Sequence, residues 1–157
     1  MDRQGLAAAR VRRFLETEPV IWLSTTCADG APHLVPTWFA WNGETITFVS
    51  KPGARKVRNL RADKRAMLAL GDAEAEFDVG LVHATAEVVP EPTPPGLPPG
   101  YLAKYGRRIA EIGLSPARFA AIFRQQVRLR PERALPWDGR LRPAPVRRLE
   151  REFAAAV

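Results

Sequence analysis

The 157-residue chain has one cysteine, two histidines and no long apolar run, and each scarcity excludes something. A single thiol, Cys27, rules out an internal disulfide and fits a reducing, cytoplasmic setting. It sits beside a turn and reads as a plain loop residue. Cys27, His33 and His83 do not fall at metal-ligand spacing, so no metal site is expected. No apolar stretch approaches the roughly 20 residues that span a bilayer. The opening Met1-Asp2-Arg3-Gln4-Gly5 lacks the apolar core of a secretory signal. There is no internal repeat. There is also no zinc-finger spacing or paired stacking-aromatic motif, so only net charge favours a nucleic-acid partner.

What is present is cationic. Net charge is +7 and the sequence pI about 10.5, which points to an anionic partner. The 46% hydrophobic and 26% charged content are those of an ordinary soluble globule, and the length suits one domain over 1–157. The charge gathers between Lys51 and Arg65. Seven basic residues (Lys51, Arg55, Lys56, Arg58, Arg61, Lys64, Arg65) stand there against one acid, Asp63. The run follows an alternating strand, Ile46-Thr47-Phe48-Val49-Ser50, and a break at Lys51-Pro52-Gly53. Strand, glycine turn and basic helix start would bring backbone N–H groups and cations to one point, as phosphate binding requires. The same run also reads as a solvated helix face.

Residues 4–17 read as an amphipathic helix with Ala7, Val11, Phe14 and Leu15 on its stripe. Strands follow at Val20–Thr26, Pro32–Trp41 and Glu44–Ser50, separated by the hairpin turns Asp29-Gly30 and Asn42-Gly43. A helix is expected from Ala54 to Ala62 and a strand from Ala66 to Gly71. An acidic turn over Asp72–Asp78 and a strand from Gly80 to Val89 come next. Pro90–Gly100 holds six prolines and reads as an extended loop. Tyr101–Ile112 is expected as a helix, and a second opens at Ser115-Pro116 and runs to about Arg124. A last strand carries Val127, Leu129 and Pro131. Trp137-Asp138-Gly139 turns the chain toward a helix over 147–156. Hairpin-linked strands with helices between them predict an antiparallel β-barrel with peripheral helices, its core over about 19–131.

Three segments then combine: WLSTTCADGAPHLVPTWFAWNGETITFVS, SKPGARKVRNLRADKRAMLAL and VHATAEVV. Together they resemble the FMN-binding split-barrel superfamily of pyridoxamine 5'-phosphate oxidase-like proteins. The later YLAKYGRRIAEIGLSPARFAAIFRQQVRLRP is similar to its deazaflavin (coenzyme F-420)-dependent branch. The resemblance covers roughly residues 8–137. It implies a homodimer of split β-barrels with cofactor sites at the subunit interface. It implies that the ring lies against Val35, Pro36, Thr37 and Trp38, and the phosphate near Ser50, Lys51, Arg55, Lys56 and Asn59. The chain lacks the C-terminal pattern by which true pyridoxamine-phosphate oxidases read their substrate, so oxidation of vitamin B6 is not expected.

The residues themselves leave several roles open. Pro36 inside a strand removes a ladder donor, which suits an edge or a bulge. Trp38 and Trp41, three apart, fall on opposite strand faces, and each reads equally as core or dimer packing. His33 reads as a surface strand residue and His83 as a packed one. No pair demands the role of catalytic acid or base. Tyr101 and Tyr105 could donate protons, and packing explains Tyr105 as well. The seven cations, with Lys104, Arg107 and Arg108, exceed what one phosphate needs. That surplus favours the phosphodiester and glutamate tail of coenzyme F-420, with FMN as the alternative. The expected chemistry is hydride transfer to a small molecule, or cofactor binding without turnover.

Overall fold

The computed structural model describes residues 3–72, 78–92 and 96–135. The turn at Trp137-Asp138-Gly139, the helix over 147–156 and the interior of the acidic turn lie outside them. The elements are α1 (Arg3–Thr17), β1 (Ile21–Thr26), β2 (Pro32–Thr37), β3 (Ala40–Trp41), β4 (Ile46–Ser50), α2 (Arg55–Ala62), β5 (Arg65–Asp72), β6 (Asp78–Val88), α3 (Tyr101–Glu111), α4 (Pro116–Ile122) and β7 (Gln125–Leu135).

The seven strands form one antiparallel sheet in the order β2-β1-β5-β6-β7-β4-β3. Its two ends, β2 and β3, are neighbours in sequence, joined only by Trp38-Phe39. Three Cα steps reach at most about 11 Å, so the sheet must curl until its edges nearly meet. The result is an antiparallel split barrel. Strand alternation fills it: Ile21, Leu23, Phe48, Leu68, Val82, Val127 and Leu129 point inward. Val11, Phe14 and Leu15 of α1 and Val57 and Leu60 of α2 close the same core. A second cluster, Val49, Tyr101, Tyr105, Ile109 and Phe119, with Trp38 against it, lies under α3 and α4. No helix among the described residues is long and apolar enough to cross a membrane.

The expected return strand over Pro32–Trp41 is two strands, broken at Trp38-Phe39. The cause is a side chain that replaces the ladder. The Tyr105 hydroxyl accepts from Phe39 N at 2.9 Å and lies 2.9 Å from both Phe39 O and Pro19 O, donating to one at a time. The Glu44–Ser50 strand starts only at Ile46, because Asn42 Oδ1 accepts from Glu44 N at 3.0 Å and Thr45 N at 2.7 Å. The expected Ala66–Gly71 strand extends to pair Asp72 with Asp78. It does so through Gly71 at φ 106, where an added Cβ would lie 2.3 Å from Asp78 O.

Ser115 caps α4: its Oγ accepts from Arg118 N at 3.2 Å, with Pro116 at the first helical position. Ser115→Ala should cost about 1 kcal/mol, lowering the melting temperature by about 2–4 °C. An unchanged melting curve would mean the cap does not hold α4.

Candidate functional site

The turn after β4 feeds directly into α2, and the basic run divides there. Arg58 Nη1 donates to Gly53 O at 2.5 Å and Arg61 Nη1 to Pro52 O at 3.2 Å, so two cations stitch the turn itself. Arg61 Nη2 also donates to Gln125 Oε1 at 2.7 Å. Arg65 forms a two-pronged pair with Asp63, holding that carboxyl down at about 2. Lys64 lies beyond the end of α2, where its backbone O accepts from Ala86 N. Lys51, Arg55 and Lys56 remain at the start of the helix. The seven cations therefore do not share one face.

Electrostatics at that start are unbalanced. Ala54 caps α2 without a side-chain acceptor, and the first turn carries no acid. Two cations, Arg55 and Lys56, stand where the helix dipole is already positive. Lys56 is half-buried. Its Nζ lies 3.4 Å from Thr37 Oγ1 and 5.6 Å from the Phe48 ring centroid. Burial strips water from the ammonium and lowers its pKa below the usual 10.5. Among the described residues no carboxylate pairs with it. Arg55 is exposed, and Lys51 is exposed with its Nζ 6.0 Å from the Phe123 ring centroid.

The other candidates are distributed around this point. Val35 and Thr37 face inward, opposite Leu23 and Ile21, whereas Pro36 faces outward opposite Trp22. These three share an edge strand, not a face, since β2 ends the sheet. Trp38 is taken up by packing, stacked on Tyr105 at 4.8 Å and 1°. Ser50 is buried where β4 pairs with Gln125. Asn59, 7% exposed, donates to Thr25 Oγ1 at 3.0 Å and Cys27 Sγ at 3.6 Å, which fastens α2 to β1. The structure thus joins Thr37 to Lys56 and sets Lys51 and Arg55 beside the same turn. Asn59 and Trp38 point into other contacts.

The tyrosines are not placed as proton donors. Tyr105 is fully buried and pushed up to about 12, chiefly by burial. Burial likewise raises Tyr101. Lys104 does not extend the patch either. Its Nζ sits 3.6 Å from the Phe39 ring centroid, beside Leu15 and Glu16 of α1, and burial pulls its pKa down to about 8 against the opposing pull of Glu18. Arg107 pairs with Glu111 at 2.8 Å. Thr25 and Gln125 are buried polar partners that sequence reading did not single out. The alternation Ile21, Leu23, Thr25 already pointed Thr25 inward.

With this geometry in view, residues 7–138 match the family profile described as pyridoxamine 5'-phosphate oxidase. The chain belongs to that family. Solved structures of the split-barrel kind agree. An F420 reductase is 25% identical, with TM-score 0.60 over 80% of this chain and 96% of its own. An FAD-binding protein from Mesorhizobium loti is 19% identical, with TM-score 0.58 over 81% and 89%. A heme storage protein from Vibrio cholerae is 20% identical, with TM-score 0.59 over 82% and 92%. The last two share the fold alone. No curated protein matches the sequence.

Proposed function

We propose that this family member is an oxidoreductase that binds the deazaflavin coenzyme F-420 and passes a hydride to a small molecule. The observation that carries the reading is the unpaired, half-buried Lys56 beside Thr37 at an acid-free helix start. Every group offered there is a donor: the Lys56 and Lys51 ammonium groups, the Arg55 guanidinium and the open N–H groups of α2. A phosphodiester is an acceptor only, so the donor set fits it. When bound, the coenzyme supplies the hydride chemistry. Lys56 and Arg55 hold the phosphate, and Lys51 adds exposed charge. Val35, Pro36 and Thr37 present an open strand edge to the ring, with Trp38 packed behind it. Ser50 and Asn59 fix the turn and helix that carry the cations. The likeness to an F420 reductase over most of both chains supports this coenzyme in particular.

FMN is the second reading, favoured by the division of the basic run, because one phosphate needs only the cations left at the helix start. Two copies complete the reading. Trp22 and Leu34, 47% and 58% exposed, stand with Pro36 on the outer face of β1 and β2, where a second subunit would cover them. Paired titrations with F-420 and FMN at low and high salt test the coenzyme. F-420 should bind tighter by about 1 kcal/mol at low salt, a margin that shrinks as salt rises, since its tail meets exposed cations. Tighter FMN binding at low salt would replace F-420 with FMN.

A further inference from the structure

A second concentration of donors lies away from these residues, on the outer face of β6 and β7. The register sets Glu87 opposite Arg128 and Thr85 opposite Arg130. Ala86 N donates to Lys64 O at 2.7 Å, which anchors Lys64 at the same place. The β3–β4 turn brings Asn42. These residues line an open groove of about 600 Å³. None of the nine residues assigned to the coenzyme lines it.

The groove is rich in donors and poor in acceptors. Asn42 spends its Oδ1 on Glu44 N and Thr45 N, leaving the amide N–H groups available. Arg130 and Lys64 have no acidic partner among the described residues. Glu87 is the one acid among the described lining residues. It is exposed and meets Arg128 only at 3.8 Å. Glu132, next to the groove, already accepts from the Thr85 hydroxyl. Arg128 and Arg130 are two apart on one strand face, so their Cα atoms are about 7 Å apart. Two guanidinium forks at that spacing can each grip a separate anionic group. Among the described residues the lining holds no aromatic side chain to stack a base or a flavin-like ring.

We propose that this groove is a second anion site, binding a small polar molecule that carries two or more phosphate or carboxylate groups. Isothermal titration of the full chain at low ionic strength tests it, with tripolyphosphate and citrate as probes. At least one probe should bind at a site that Lys56→Ala leaves intact, and the tighter of the two at that site tells phosphate from carboxylate. Arg128→Ala with Arg130→Ala should weaken that probe at least tenfold, and Lys64→Ala severalfold. Glu87→Gln should tighten it, an effect that loss of structure would not produce. Arg107→Ala, which removes an exposed cation elsewhere, should leave it unchanged. The proposal falls if neither probe saturates below about 1 mM. It also falls if the groove variants bind like Arg107→Ala, or if Glu87→Gln has no effect. Tighter, groove-dependent binding of single-stranded oligonucleotide would replace it with a nucleic-acid site.

Discussion

Tyr105→Phe should destabilise the protein by about 2–4 kcal/mol, although it removes a single oxygen. The ring's packing survives the change, since phenylalanine keeps the stack on Trp38 at 4.8 Å and the contact with Tyr101 at 4.7 Å. What disappears is the acceptor for Phe39 N and the donor that Phe39 O shares with Pro19 O; among the described residues neither Phe39 group has another partner, and Phe39 has 0% exposure. Water cannot reach them, so each pays its desolvation cost unrelieved. Pro19 O is at an exposed residue and can turn to solvent. Melting should fall by about 5–12 °C for a domain of this size. Tyr101→Phe is the control, because the Tyr101 hydroxyl makes no hydrogen bond among the described residues. The pH dependence has a definite sign. Tyr105 is raised to about 12 in the folded state from an ordinary 10, so folding binds the extra proton. Stability is fully present below pH 10 and drains as pH rises toward 12, and the phenylalanine variant should lose less over that window. A Tyr105→Phe melting curve matching wild type would show that the seam does not depend on this hydroxyl.

Lys56→Ala should weaken coenzyme binding by about 2–3 kcal/mol, and Arg55→Ala by about 1–2 kcal/mol. The ranking follows exposure. Lys56 is desolvated and unpaired, so a phosphate would meet it at low dielectric, whereas Arg55 works in water. Binding should also titrate. In the free protein Lys56 loses its proton below the usual 10.5, and a bound anion favours the charged form. Affinity should therefore hold at neutral pH and decline as pH climbs through the lowered value, by up to tenfold per unit. Lys56→Ala should remove that decline along with most of the affinity. If both variants melt like wild type and bind coenzyme unchanged, α2 is not the phosphate site.

The barrel was legible because its hairpins are written locally. Asp29-Gly30 and Asn42-Gly43 fix turns, and alternation in Ile21–Thr26 and Val82–Ala86 fixes faces. The break at Trp38-Phe39 was not, because it depends on a tyrosine far along the chain. The candidate site was legible as composition and less so as geometry. Charge counting saw seven cations, but not that Arg58 and Arg61 would turn back onto the carbonyls of Gly53 and Pro52. Trp38 looked available for a ring because nothing in its neighbourhood announces Tyr105 and Phe119 as its partners.

Strand β7 carries an implication for how the molecule is made. Among the described strands it is the one whose pairing links the β2-β1-β5-β6 group to the β3-β4 hairpin, with Val88 opposite Val127 on one side and Ser50 opposite Gln125 on the other. On the ribosome, both groups wait with an unpaired edge until Gln125–Leu135 emerges. Closing them is a long-range event, slow by its topology, and the waiting edges are open to neighbouring nascent chains. A truncation just before Gln125 should therefore yield insoluble protein rather than a smaller barrel.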